Sequence, residues 1–399
     1  MTLTEPTIEL ASAEAALGEP FLIDVLRSLV QAQSVNPGIY EVEMAQRVAA
    51  WLAPTPAEVH IVEMAPGRPS VAAVIRGSGD GPRLVLNGHM DTVPIDDRDG
   101  WDMDPFAGEV RDGHLFGRGA CDMKAGLTTQ IAVAHHLSHR ADELRGTLIL
   151  QFAAGEECAE PGTLSLIEAG FAGDFGIVTE PTELKVAVAE RGLGTYRIRI
   201  KGRSIHASRS HLGLNPVPHL RPVLDAIETY DRDVRAKPHP LLPGGSCTPT
   251  VVRAGVKENA VADHCDLLLD RRLLPGETID GELEELRARI AQASRGVEGF
   301  EAEVTRFELG FEPAEIDHDS AFAKSVAATV GEVTGQAAEI YGTPYASDVR
   351  NLVNDAGMEA ITFGPGNVAE CHCANERVSL QQLRQASEVL AKVAQDLIL

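Results

Sequence analysis

Short runs of consecutive apolar residues alternate with helix-like segments in the first half of the chain, and this alternation is the strongest constraint on the fold. Leu148-Ile149-Leu150 lies in one such run, and Phe175–Val178 forms another. Other segments of this half, such as Val42–Leu52 and residues 124–137, carry apolar residues at helical spacing. Strands that are apolar throughout are typical of a largely parallel sheet with helices on both faces. We therefore predict an α/β domain.

The middle of the chain follows a different pattern. Tyr196, Ile198 and Ile200 alternate with polar residues, as in a half-buried strand. The predicted order there is strand, helix, two strands, helix, strand, which is typical of a small α+β unit with one open sheet face. We expect an α/β domain formed by residues 1–190 and 308–399 and interrupted by an inserted α+β domain over residues 191–307.

The charge of the chain limits its partners. Lys and Arg number 35 against 59 Asp and Glu, a formal net charge of -24, which would repel nucleic acid and anionic membranes. No uninterrupted apolar stretch is as long as the roughly 18 residues that a membrane span needs, and residues 1–20 lack the features of a secretory signal. We expect a cytoplasmic protein whose six cysteines are thiols.

Acidic and imidazole side chains follow predicted strands or open helices at five places along the chain. They are His89 with Asp91, Asp122, Glu156 with Glu157, Glu180, and His372. Each has an ordinary alternative: a His–Asp pair at a strand end, a helix N-cap for Asp122, an exposed acidic turn for the two glutamates, and loop positions for the rest. Five such places in one chain indicate a common site, because strand ends meet at one edge of a sheet.

The ligand inventory favours a pair of zinc ions. Two imidazoles and four carboxylates exceed what one tetrahedral zinc requires, whereas two zinc ions with a bridging carboxylate leave one acid as a base. Hard Ca²⁺ or Mg²⁺ would not need imidazoles. Cysteines adjoin several of these residues, and we interpret them as buried packing residues because neighbours in an extended chain point apart. They are Cys121, Cys158, Cys371 and Cys373.

These motifs, in this order, resemble the acetylornithine deacetylase and succinyl-diaminopimelate desuccinylase family of di-zinc hydrolases, which also contains aminoacylases and di- and carboxypeptidases. The resemblance covers nearly the whole chain. It implies a zinc-exopeptidase-like α/β/α catalytic domain interrupted by an inserted α+β lid and dimerisation domain. It also implies a cis peptide bond after Asp122.

The resemblance assigns roles to the motif residues. One Zn²⁺ would be held by His89 and Glu180, the other by Glu157 and His372, and both by Asp122, with Co²⁺ as a possible substitute. The resemblance also implies that Asp91 orients His89. Glu156 would be the general base that takes a proton from the metal-activated water.

The inserted domain also matches family segments. The stretch around His206 resembles the segment whose histidine reaches the active site of the partner subunit, which implies an oxyanion-stabilising role. Asn259 and Arg272 resemble substrate anchors, although Ala262 stands where the family usually has proline near Asn259. A guanidinium such as that of Arg272 can bind a carboxylate through two hydrogen bonds.

We therefore expect a zinc-dependent enzyme that removes an acyl group from an N-acyl amino acid, of the deacetylase or desuccinylase type. A dipeptidase or carboxypeptidase on the same scaffold is the alternative, since it cleaves the same kind of bond. A metal-free binding protein is a third possibility, against which the complete set of ligands and base argues. We also expect a homodimer joined through the inserted domain, because pairing would protect its open sheet edge.

Overall fold

The computed structural model of the protein describes residues 8–399, so the first seven positions of the predicted first domain lie outside the described residues. The chain forms two compact units. The first contains residues 8–188, 316–341 and 347–399, and the second contains residues 189–315 and 342–346. The predicted class, an α/β domain with an inserted α+β domain, is confirmed.

The helices and strands have the following bounds. The helices are α1 (Glu19–Gln31), α2 (Val42–Leu52), α3 (Ala125–Ser138), α4 (Gly162–Glu168), α5 (Leu220–Arg235), α6 (Ile279–Ala293), α7 (Ala321–Thr334) and α8 (Leu380–Ile398). The strands up to the middle of the chain are β1 (Glu58–Ala65), β2 (Arg68–Arg76), β3 (Arg83–His89), β4 (Glu109–Arg111), β5 (His114–Phe116), β6 (Thr147–Ala153), β7 (Phe175–Val178) and β8 (Val186–Glu190). The remaining strands are β9 (Gly192–Lys201), β10 (Ser246–Ala254), β11 (His264–Leu273), β12 (Ala302–Arg306), β13 (Ala314–Glu315), β14 (Ile340–Thr343), β15 (Glu359–Thr362) and β16 (Arg377–Ser379).

The large sheet of the first unit is mixed. Its strands follow the order β1-β2-β6-β3-β7-β15-β8. Neighbours from β6 to β15 are parallel, whereas β1, β2 and β8 pair antiparallel with their neighbours. The largely parallel sheet expected from the sequence is therefore confined to the centre. The outer strands differ from this expectation. Strands β1 and β2 are antiparallel because they form a hairpin, which closes at Gly67 with φ 75°.

Helices of the first unit pack on apolar faces that the sequence pattern identified. Leu22 and Leu26 of α1 join Ala132 of α3 and Leu383 of α8 in one apolar cluster. The helical spacing of residues 124–137 predicts that His135 lies on the helix surface, and this prediction is wrong: His135 is fully buried, because α3 is covered almost all round. Its ring nitrogens contact the Trp51 carbonyl at 2.8 Å and the Ala11 amide at 3.2 Å. Among residues 8–399, none of the helices combines the length and apolar character that crossing a membrane would require.

The second unit is built on an antiparallel sheet in the order β10-β11-β9-β12. Its elements follow the predicted order of strand, helix, two strands, helix, strand. Tyr196, Ile198 and Ile200 of β9 point into a core that α5 and α6 cover, as their alternation predicts. The other sheet face is polar and includes the Arg199–Asp266 ion pair at 2.6 Å.

Candidate metal centre

Parallel strands bring the candidate ligands to one edge of the large sheet. His89 is the last residue of β3 and pairs in register with Ala153, the last residue of β6. The turn that carries Glu156 and Glu157 follows β6 directly, and Glu180 follows β7 by two residues. Because β6, β3 and β7 are adjacent and parallel, these side chains meet in space, as their positions at strand ends predict.

Asp122 lies between the two imidazoles. Its Oδ1 is 3.1 Å from His89 Nε2, and its Oδ2 is 3.2 Å from His372 Nε2. Asp122 belongs to an irregular turn over Ala120–Lys124 just before α3, and its peptide bond to Met123 is cis, as the family resemblance implies. One carboxylate thus faces two ring nitrogens with separate oxygens.

The remaining carboxylates complete two groups around these imidazoles. His89 Nε2 lies 3.3 Å from a Glu180 oxygen and 3.9 Å from a Glu156 oxygen, and His372 Nε2 lies 3.2 Å from a Glu157 oxygen. In two sets, His89 with Glu156 and Glu180, and His89 with Asp122 and Glu157, the possible ligand atoms all lie within 4.8 Å of one another. Imidazole nitrogens and carboxylate oxygens at such spacings form a donor set suited to zinc.

Burial and crowded charge shift the pKa values of these acids. Burial, reinforced by the charge of Asp122, raises the pKa of Glu180 to about 7. Burial likewise raises the pKa of Glu157, and it raises that of Glu156 well above the usual range. Asp122 is the exception, since hydrogen bonds from both imidazoles outweigh its burial and lower its pKa. The site holds more negative charge than two imidazoles balance, which is the electrostatic condition that a divalent cation relieves.

Asp91 holds the turn that bears the two glutamates. Its Oδ1 accepts hydrogen bonds from the backbone amides of Gly155 (3.0 Å) and Glu156 (3.1 Å), and its Oδ2 accepts one from Glu157 (3.2 Å). His89 Nδ1 lies 3.0 Å from the Asp91 carbonyl and 3.5 Å from its carboxylate. Asp91 therefore lies closer to the imidazole with its backbone carbonyl than with its carboxylate, and its carboxylate also positions the neighbouring loop. Its role in orienting His89 stays a prediction.

Glu376 is a site residue that the sequence reasoning missed. Its Oε1 accepts hydrogen bonds from the amides of Cys121 (3.0 Å) and Asp122 (3.1 Å), and its Oε2 accepts one from Arg118 at 2.6 Å. Burial raises its pKa to about 7, although the charge of Arg118 opposes the rise. The only signal in the sequence is its place four residues after His372, in a segment with many ligand-type residues.

The cysteines near the ligands differ in exposure. Cys121 is fully buried, as expected, whereas Cys158, Cys371 and Cys373 are half-buried. The Sγ atoms of Cys121 and Cys371 are 3.6 Å apart. Among residues 8–399, the groups able to hold a metal contain no cysteine. The predicted burial is therefore found for Cys121 but not for the other three, and the packing role of the thiols stays a prediction.

The other predicted site residues belong to the second unit. His206 lies in an exposed loop after β9, and its Nδ1 is 2.8 Å from Ser208 Oγ. Asn259 is also exposed. It lies beside the His206 loop, because its carbonyl accepts a hydrogen bond from the Ala207 amide at 2.9 Å. Arg272, on β11, is bound to the Asp270 carboxylate through two hydrogen bonds of 3.0 and 3.1 Å. The catalytic and anchoring roles of these residues stay predictions.

Comparisons with known proteins agree with the site. The model of peptidase family M20/M25/M40 matches residues 85–396. The chain is 30% identical over 391 residues to succinyl-diaminopimelate desuccinylase of Bordetella parapertussis, covering 95% of this chain and 98% of that protein. It is 26% identical over 397 residues to N-formyl-4-amino-5-aminomethyl-2-methylpyrimidine deformylase of Bacillus subtilis, covering 92% of each.

Solved structures show the same fold. The Bacillus subtilis YXEP protein, described as a dinuclear metal-binding peptidase of the M20 family, superposes with a TM-score of 0.73 at 19% identity. The match covers 96% of this chain and 99% of that one. The chain therefore belongs to peptidase family M20/M25/M40 and is a metal-dependent hydrolase of C–N bonds.

Proposed function

We propose that the protein is a di-zinc amidohydrolase that removes the acyl group from an N-acyl amino acid. The observation that carries this proposal is the Asp122 carboxylate, which faces His89 with one oxygen and His372 with the other. A single carboxylate so placed can serve two ions. The relatives support the two parts of the proposal separately: a desuccinylase and a deformylase support acyl removal, and a dinuclear metal-binding peptidase supports two metal ions.

The ligands divide into two sets in this proposal. His89 and Glu180 would hold one zinc, Glu157 and His372 would hold the other, and Asp122 would serve both. When bound, the ions act as Lewis acids that polarise the amide carbonyl and lower the pKa of water. Glu376 and Asp91 accept hydrogen bonds from the backbone amides of Asp122 and Glu157, which would help to position both as ligands.

Glu156 is the proposed general base. Its carboxylate lies beside the ligands, 3.9 Å from His89 Nε2, on the same turn as Glu157. It takes a proton from the attacking water and returns it to the leaving nitrogen. Burial raises its pKa, although the charge of His89 opposes the rise. Asp348, another buried carboxylate, adds to the rise in pKa by its charge.

We also propose a homodimer in which His206 of one subunit donates to the oxyanion formed in the site of the other. The support lies in the second unit. Strand β10 is an edge of its sheet, and Val252 on that strand is 53% exposed. Pairing through such an edge would cover unpaired backbone groups. A donor supplied across the interface would complete each site only in the assembled enzyme.

A peptidase on the same scaffold is the second candidate, favoured by the description of the YXEP protein. The deciding experiment is a substrate panel with the zinc- or cobalt-loaded enzyme: N-formyl, N-acetyl and N-succinyl amino acids against dipeptides with the same C-terminal residue. We expect the best N-acyl amino acid to exceed every dipeptide in kcat/KM by at least about tenfold, about 1.4 kcal/mol of transition-state binding. A dipeptide as best substrate would establish the peptidase instead.

Metal content provides an independent test. Purified protein loaded with zinc and freed of excess metal should contain two zinc ions per chain, and Glu157→Ala should retain one. Chelation should abolish hydrolysis, and added zinc should restore it. A single ion per chain in both proteins would overturn the di-zinc assignment.

A further inference from the structure

The segment that follows α1 reaches the metal centre through a buried amide. Residues 34–36 run beside residues 90–92: the Thr92 amide donates to the Ser34 carbonyl at 3.0 Å, and the Asn36 amide donates to the Thr92 carbonyl at 2.9 Å. This pairing fixes the backbone of Asn36 next to Asp91. The Asn36 side chain is 3% exposed, and its Nδ2 donates to Asp91 Oδ2 at 2.9 Å.

The same amide group bonds a second carboxylate. Asn36 Nδ2 lies 3.2 Å from Glu160 Oε2. Glu160 ends the short turn that begins at Gly155, since its backbone amide donates to the Gly155 carbonyl at 2.8 Å. One NH₂ group therefore joins Asp91, which binds the start of this turn, to Glu160 at its end.

A buried arginine balances the charge of Glu160. Arg68 donates to Glu160 at 3.0 and 2.6 Å and to Glu41 at 2.8 and 2.7 Å. Glu41 is fully buried, and the Arg68 guanidinium lies 4.3 Å from the centre of the Tyr40 ring. The same guanidinium binds buried Glu41, so the position of Arg68 beside Glu160 is fixed.

We infer that Asn36 is a positioning residue of the metal centre, and that the Arg68–Glu160 pair supports it. Together they clamp the turn over residues 155–160 at both ends. Between the clamped ends stand Glu156 and Glu157, the proposed base and one proposed ligand. The amide is suited to this place because both of its N–H groups donate to carboxylates, whereas a third carboxylate there would repel both. The inference rests on the proposed di-metal function.

Asn36→Asp tests the inference, because it keeps the shape and replaces the donor by an acceptor. We expect zinc affinity at the more weakly held position to fall by up to about 10–100-fold, the effect of losing a group bonded directly to a ligand, since Asn36 acts on the ligands through Asp91 and Glu160. Affinity is measured by competition with a chromophoric chelator, so the readout does not depend on activity. In the cobalt-loaded protein the absorption spectrum should change, and kcat should fall with KM little altered.

A matched control separates this effect from the substitution itself. Asn351 donates to Asp355 at 2.7 Å in an exposed hydrogen bond, so Asn351→Asp removes the same kind of bond far from the turn in sequence. It should bind zinc as the parent protein does. If Asn36→Asp does not fold, Glu160→Gln tests the other end of the clamp, since it weakens the pairing with Arg68 on a half-buried side chain. It should lower zinc affinity about 3–10-fold.

The outcomes separate the inference from the function it rests on. If the parent protein binds no zinc, the proposed function fails. If the parent binds two ions and the folded Asn36→Asp and Glu160→Gln variants bind them with unchanged affinity and an unchanged cobalt spectrum, the positioning role alone is overturned. A loss of thermal stability without a loss of metal affinity would count against it too, since it would show a merely structural contact.

Discussion

The candidate functional residues of the two units differ in burial and in their hydrogen-bond partners. In the first unit, His89, Asp122 and Glu156 are buried or nearly so, although the His372 side chain is 52% exposed, and buried acceptors hold the backbone around Asp122 and Glu156. In the second unit, His206 and Asn259 are exposed, and their hydrogen bonds join neighbouring loop residues. The first arrangement can hold ligands in place without substrate, whereas the second depends on what binds to the loop. Substitutions in the first unit should therefore reduce activity by impairing the chemical step or metal binding. Substitutions in the second unit should reduce activity by impairing assembly or substrate binding.

Glu156→Gln is the change expected to have the largest effect. The amide is nearly isosteric with the carboxylate but cannot accept the proton, so kcat should fall about 10²–10⁴-fold. The fold and both metals should be retained, because Glu156 is the acid that the ligand assignment leaves over. Steady-state kinetics together with metal analysis provide the check. A variant with two metals that keeps more than about a tenth of kcat would refute the base assignment.

His206→Ala should have the next largest effect, about 10²–10³-fold in kcat, which is typical of a lost oxyanion donor. Zinc content should not change, in contrast to substitutions among the ligands. Mixing His206→Ala with Glu156→Gln subunits should restore partial activity, because each heterodimer would regain one intact site. The check is activity after mixing, with subunit exchange shown by mass spectrometry.

The mixing experiment also tests the comparison between the units. If subunits are shown to exchange and activity is not restored, the assignment of His206 to the partner's site is refuted. A fully active protein that sediments as a monomer would refute the proposed homodimer.

Asp91→Ala should weaken zinc binding by about 10–100-fold. The structure adds a second consequence, because removal of this carboxylate leaves the buried amides of Gly155 and Glu156 without their acceptor. An unsatisfied buried polar group costs about 1–3 kcal/mol, so thermal stability should fall as well. Unchanged metal affinity together with an unchanged melting temperature would show that Asp91 serves neither His89 nor the turn.

The site residues that the sequence predicted best are those placed by the parallel strands of the large sheet. His89, Glu157 and Glu180 follow adjacent parallel strands, and a parallel sheet gathers such positions whatever the loops do. The sequence did not predict Glu376 or Asn36, because the amides from which Glu376 accepts and the carboxylates to which Asn36 donates are known only in space. The buried His135 was missed for a related reason, since helix periodicity shows one apolar face and not a helix covered on every side.

Arg272 should give the smallest effect, and it probes the second unit directly. If Arg272 anchors a substrate carboxylate, Arg272→Ala should raise KM by about tenfold or more with little change in kcat, since a hydrogen bond to a charged group contributes about 1.5–3 kcal/mol. In the structure the guanidinium already binds Asp270 through two hydrogen bonds, so a substrate carboxylate must compete with that residue. Asp270→Asn should therefore lower KM, which reverses the sign of the effect at the same site. Kinetics with an N-acyl amino acid and with its C-terminal amide measure both changes, and the amide should respond to neither. Equal responses of the two substrates would remove Arg272 from the list of anchors and leave the Arg272–Asp270 pair as a structural feature of β11.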